Sequence, residues 1–116
     1  METKAALSAL GALAQETRLA IFRHLVEAGP VGETVGRIGE ALGIAPATLS
    51  FHLKELSRAG LVQGRQESRF WWYSANYGAM NGLIAYLTEN CCGGQAQACC
   101  PPARPAAAAK RRKVPA

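Results

Sequence analysis

The first 90 residues of this 116-residue chain contain no cysteine, although the chain has four. All four stand in the stretch ENCCGGQAQACC as two adjacent pairs, Cys91 with Cys92 and Cys99 with Cys100. A C-x-x-C spacing is missing, no cysteine has an arginine six residues on, and the glycines form no phosphate-binding fingerprint. These absences speak against thiol catalysis and nucleotide chemistry. No apolar run reaches the roughly 20 residues of a membrane span, and METKAALSAL lacks the basic region and cleavage pattern of a signal peptide. A soluble, cytoplasmic chain without a membrane partner is expected. In a reducing compartment, clustered cysteines point to ligands or redox groups before structural disulfides.

Acidic residues are absent from residues 91–116, where Arg104, Lys110, Arg111, Arg112 and Lys113 account for the whole net charge of +5. Residues 1–90 balance eight basic against eight acidic side chains. Within them, Lys54, Arg58, Arg65 and Arg69 outnumber Glu55 and Glu67, which makes one local basic region. The tail PPARPAAAAKRRKVPA has too little apolar periodicity to fold, so residues 101–116 are expected to be disordered. Its KRRK run reads as a solubilising or loosely phosphate-attracting feature. A chain this short buries only a modest core, and a partner chain would add to it.

What is present is mostly helical periodicity. Ala6, Leu7, Leu10 and Leu13 have helical spacing over residues 2–13. A second helix over about residues 16–28 is expected to turn Leu19, Phe22 and Val26 inward beside Ile21 and Leu25, and Gly29 and Pro30 end it. Val35, Ile38 and Leu42 make a short third stripe, and Gly43, Ile44 and Ala45 make a tight turn. Pro46 suits the first position of the next helix, which Gly60 closes, with Leu49, Leu53 and Leu56 inward. Two helices joined so closely form a helix-turn-helix.

The outer face of that last helix carries Ala47, Thr48, Ser50, Phe51, Lys54 and Arg58. Short hydroxyl residues near its start can enter a DNA major groove, where Thr48 and Ser50 meet base edges. Lys54 and Arg58 then reach phosphates. Phe51 and His52 fit two roles: a thymine-methyl contact and a phosphate bond, or the edge of the core. LVQGRQ and RFWWYS flank Glu67 and Ser68 as a β-hairpin. Alternation puts Phe70 and Trp72 on one face and Trp71 and Tyr73 on the other, and most of these rings are expected in the core. Arg65 and Arg69, near the tip, are the candidates for phosphate or minor-groove contact. The expected fold class is mainly α with a β-hairpin wing, a winged helix-turn-helix.

The runs ETRLAIFRHLVEAG, APATLSFHLKELSRAGLV and SRFWWYSAN resemble the ArsR/SmtB family of winged-helix metal-sensing repressors, over roughly residues 5–90. The resemblance implies a homodimer, joined through its first and last helices, that represses an operon and leaves operator DNA when a toxic metal or metalloid binds. Taken with the cysteine and charge distribution, it divides the chain into a DNA-binding and dimerisation domain (1–90), a cysteine-rich sensing segment (91–100) and the basic tail (101–116). Two departures stand out. GETVGRIGEAL lacks the cysteine pair of arsenic-sensing members, and ANYGAMNGLIAYLTEN lacks the His and acidic ligands of zinc-sensing members.

Tyr77, Met80, Leu83, Ile84 and Leu87 make the last helix amphipathic, and Cys91 and Cys92 follow it directly. Gly93 and Gly94 allow the chain to turn back and bring Cys99 or Cys100 to the first pair. Thiolates select soft ions, and As(III) or Sb(III) is satisfied by three sulfurs, so the expected inducer is a trivalent metalloid held by Cys91, Cys92 and Cys99 or Cys100. No organic cofactor is expected. A redox switch or another soft metal is the alternative reading of the same thiols. A thiol-based arsenate reductase, the enzymatic alternative, lacks its motifs.

Overall fold

A computed structural model describes residues 1–94. The chain divides into two units, Met1–Tyr86 and the segment that starts at Leu87. The first unit orders its elements as α1 (Thr3–Leu13), α2 (Glu16–Ala28), β1 (Glu33–Thr34), α3 (Val35–Leu42), α4 (Pro46–Arg58), β2 (Val62–Glu67), β3 (Phe70–Ala75) and α5 (Tyr77–Leu87), whose last residue opens the second unit. Five helices and a small antiparallel sheet make a winged helix-turn-helix, as the sequence pattern predicts. Among the described residues no helix is long and apolar enough to cross a membrane.

Local chemistry sets the boundaries. The Gln15 side chain accepts from the Arg18 N–H at 2.8 Å and starts α2. Thr34 accepts from the Arg37 N–H and starts α3. Gly43, in the left-handed conformation at φ 66°, ends α3, and Pro46 opens α4 three residues later. At the far end of α4, the Leu61 N–H donates to the Leu56 carbonyl and the Gly60 N–H to the Ser57 carbonyl. These paired bonds satisfy carbonyls that the helix leaves open, and they bury Leu56 against Leu61. Asn76 joins the wing to α5: its N–H donates to the Leu61 carbonyl at 2.8 Å, and its side-chain oxygen accepts from the Ala79 N–H.

The core is built from Ile21, Phe22 and Leu25 of α2, Ile38 of α3, Leu49, Leu53 and Leu56 of α4, and Leu61, Val62 and Leu83. The α4 stripe is the one the sequence predicts. The α2 stripe is rotated from expectation, and the helically spaced apolar residues of α1 divide between inside and outside. In α1 the buried residues are Ala6, Ala9 and Ala12, while Leu7 is 64% exposed and Leu10 is also exposed. Small alanines let α1 lie close on its neighbours, which leaves the larger leucines outside. In α2, Leu19 is exposed and Val26 only half-buried, because Ile21, Phe22 and Leu25 take the inner face.

The sheet has the order β1-β3-β2. β1 is a two-residue strand that the sequence did not predict; it pairs Glu33 with Tyr73 and Thr34 with Trp72. β2 and β3 pair from Val62 with Ala75 to Glu67 with Phe70, so the tip is Ser68 and Arg69, one residue on from the expected Glu67 and Ser68, because Glu67 still pairs in the ladder. Ser68 takes a φ of 58° to make that turn. The expected burial of the wing rings does not hold. Phe70 and Trp71 are exposed, Trp72 and Tyr73 half-buried, and Ser74 and Ala75 are the buried residues of β3. Alternation assigns a side chain to a face, but the outer half of this hairpin projects past a core already filled from α2 and α4.

Candidate nucleic-acid interface

At about 1.5 Å per residue, the 13-residue α4 is roughly 20 Å long, enough to cross a major groove. Its inner leucines fix the rotation of the helix and so decide what it shows. Ala47, Thr48, Ser50, Phe51, Lys54, Ser57 and Arg58 are all exposed. No side chain caps its N-terminus, so the first-turn N–H groups and the positive end of the helix dipole are presented outward.

Three of the sequence-predicted contacts lie together. Ser50, Lys54 and Arg69 line one cleft of about 840 Å³ between α4 and the wing. Arg37 and Gly36 from the start of α3 line it too, as do Phe70, Trp71 and Tyr73 from β3. Arg37, Lys54 and Arg69 face Glu40 there, a cationic excess that favours a polyanion. Thr48 and Phe51 are exposed on α4 without lining this cleft; Phe51 is 56% exposed.

The other three candidates, His52, Arg58 and Arg65, make contacts within the fold. His52 is buried at 8% exposure, with Phe51 packed edge-on against its ring. Its Nδ1 lies 3.4 Å from the Arg18 guanidinium, whose Nε donates to the Ala12 carbonyl at 2.6 Å. This ring therefore belongs to the packing of α4 on α1 and α2, not to the outer face. Arg58 is exposed but paired with Glu55 at 2.9 Å. Arg65 is used internally: its Nε donates to Glu67, its Nη2 to the Val31 carbonyl at 2.8 Å, and its guanidinium lies 5.3 Å from the centre of the Trp72 ring.

Sequence reasoning missed Arg37, Phe70 and Trp71 as parts of this surface. A signal for Arg37 existed, since Thr34 is a helix-starting residue and three positions on from it is the first turn of α3. For the two rings there was none, because aromatic residues in a β-prone run read as core.

The second unit carries the first cysteine pair. Asn90, Cys92, Gly93 and Gly94 all have positive φ. The Cys91 N–H donates to the Thr88 carbonyl and the Gly94 N–H to the Asn90 carbonyl. The Cys91 and Cys92 sulfurs are 3.7 Å apart. Both are disulfide-bonded, and that separation excludes a bond to each other. Among the described residues no three His, Cys, Asp or Glu side chains cluster as a metal site. Cys99, Cys100 and the basic tail lie outside the described residues.

Residues 13–65 match the family model described as a helix-turn-helix domain. The chain is 33% identical to HlyU from Vibrio cholerae N16961, over 75% of this chain and 97% of that one, with a TM-score of 0.59. It is 26% identical to the homodimeric winged helix-turn-helix DNA-binding domain Mb0332 from Mycobacterium bovis, a possible ArsR-family transcriptional regulator; 75% of this chain and 81% of that one align, with a TM-score of 0.60. A 58-residue stretch is 43% identical to YceK of Bacillus subtilis, an uncharacterised HTH-type transcriptional regulator. That match covers 50% of this chain and 57% of the relative's length.

Proposed function

Because this chain belongs to the ArsR/SmtB family of winged helix-turn-helix transcriptional regulators, we propose that it is a homodimeric repressor whose operator affinity is set by the state of its cysteines. One observation carries the DNA reading: Ser50 and Lys54 of α4 and Arg69 of the wing converge on one cleft, fixed there by the buried leucines behind α4. Ser50 reads a base edge, while Lys54 and Arg69 neutralise phosphates. Two copies would place their recognition helices in successive major grooves, about 34–36 Å apart.

The inducer is As(III) or Sb(III), held by Cys91, Cys92 and one of Cys99 and Cys100. Support comes from the adjacency of the first two cysteines and from the positive-φ residues Asn90, Cys92, Gly93 and Gly94 around them, which free the backbone to bring further thiols near. A soft trivalent ion with three thiolates around it would favour one arrangement of the dimer over another, and operator affinity would fall by linkage. A second reading has its own observation. Cys91 and Cys92 are both disulfide-bonded, which supports a thiol–disulfide switch acting through the same segment.

Fluorescence anisotropy of labelled promoter DNA tests both parts. Lys54→Ala and Arg69→Ala should each weaken binding and reduce the salt slope by about one. Unchanged affinity in both would refute the docking. Under reducing conditions, Cys91→Ser and Cys92→Ser should bind DNA normally but no longer release it with As(III). Release at the wild-type As(III) concentration would remove the metalloid site from this segment. Release by diamide alone would select the redox reading.

A further inference from the structure

β3 treats its four rings unequally. Trp72 lies under the Arg65 guanidinium and Tyr73 packs against the core, whereas Phe70 and Trp71 are 55% and 50% exposed. Two large apolar side chains held in water next to a charged tip are an unusual use of a hairpin that has already hidden its other two rings. Their place is more specific than exposure alone. Both line the cleft that also holds Ser50 and Lys54 of α4 and Arg37 of α3, and Arg69 directly precedes them.

The cleft thus has a cationic floor and an aromatic wall. The cations select a polyanion; the rings select the part of it that carries no charge. A DNA duplex offers both, phosphates on its strands and apolar sugar and base edges within its grooves. With α4 set in the major groove, a wing across the cleft from it would reach the next strand and the minor groove beyond. That groove is about 6 Å wide, too narrow to receive an indole and a phenyl ring without opening. Opening or partly unstacking the groove is easiest at pyrimidine–purine steps.

Building on the DNA-binding reading above, we propose that Phe70 and Trp71 are specificity-determining residues: an apolar wedge that the wing sets against the minor groove flanking each half-site. The recognised sequence then extends beyond the bases that α4 touches and includes a deformable flanking step. Trp71 shares the Tyr73 face of the strand and lies toward α4, while Phe70 pairs with Glu67 next to the tip and reaches furthest out. The two rings differ from Arg69 in what they recognise. Arg69 reads charge and is blind to sequence, whereas the rings read how easily the flank deforms.

In the test, the full-length reduced chain selects duplexes from a random-sequence pool, and the winners are titrated at several salt concentrations. The Phe70→Ser/Trp71→Ser double variant should bind the selected duplex about ten-fold more weakly with an unchanged salt slope, and should keep the half-site preference but lose the flanking one. Trp71→Leu, which keeps an apolar side chain, should fold as the wild type does and lose part of the flanking preference. In a Trp72→Phe background Trp71 is the sole tryptophan of the chain, and its emission should be quenched when selected DNA binds. A double variant that keeps the flanking preference and stays within two-fold of wild-type affinity would overturn the proposal. So would a change of oligomeric state with DNA affinity untouched, since this face would then join copies of the chain. If the wild type itself enriches no duplex, the DNA-binding reading fails and the wedge with it; if the wild type selects DNA and only the wedge outcomes fail, the reading stands alone.

Discussion

Gly32 has the least room of any glycine in the described residues. Its φ is +82°, and a Cβ placed there would lie 2.1 Å from the Tyr73 carbonyl oxygen. The adjacent strand β1 pairs with β3 at Tyr73 and Trp72, and it runs directly into Thr34, which starts α3. Gly32→Ala should therefore destabilise the fold by about 3 kcal/mol, read as a lower urea midpoint, since both the left-handed backbone and the backbone contact must give way. A change under about 0.5 kcal/mol would show that β1 moves freely from β3. His52 shows another residue-scale constraint. It stands between the exposed Phe51 and the buried Leu53, and packing turns it toward Arg18.

As an element, the wing is braced two residues short of its tip. Arg65 joins β2 to the Val31 carbonyl, to Glu67 and to the face of Trp72, the residue opposite it on β3. A lysine could not serve the two N–H donations and the stacked face together. Arg65→Ala should weaken DNA binding through a looser wing while leaving the salt slope unchanged, because its guanidinium neutralises Glu67 rather than a phosphate. Measured beside Arg69→Ala, it should be the variant with the unchanged slope. A slope reduced by about one would return Arg65 to the phosphate contacts. α4 has the converse character: the paired bonds from Gly60 and Leu61 end it sharply and hand the chain straight to β2, so recognition helix and wing share one rigid connection.

Over the whole molecule, the apolar surface left by α1 is the feature a single copy does not explain. Leu7 and Leu10 are exposed because the alanine face packs inward, and Ile84 of α5 is exposed as well. The Thr3 hydroxyl and the Tyr86 hydroxyl meet at 2.7 Å, so α1 and α5 lie together in the first unit. A homodimer formed through these helices would cover that surface, in keeping with the proposed function. Leu7→Glu should shift the chain toward monomer in sedimentation velocity and reduce operator affinity by at least ten-fold, because one half-site contact is then lost at working concentrations. A charged Leu7 position that leaves the dimer intact would move the interface elsewhere.

Some of this was legible in the residues alone. The helix-turn-helix, the hairpin and the α4 stripe follow from local rules: Pro46 and Gly60 bound the helix, leucines recur at its inner positions, and two β-prone runs flank a two-residue tip. Those rules also fixed which side chains of α4 face out, and with them Ser50 and Lys54. Depth was not legible. Periodicity names a face, but the space behind that face depends on other elements, so Leu19, Phe70 and Trp71 read as core and are exposed, while three alanines of α1 are buried. Pairing was not legible either. Arg65 and Arg69 look alike four residues apart, and only the fold brings Val31 and Trp72 to one of them and leaves the other at the tip of the wing. Sequence determines which groups are available, and tertiary contact decides which of them are already satisfied and which remain to bind something else.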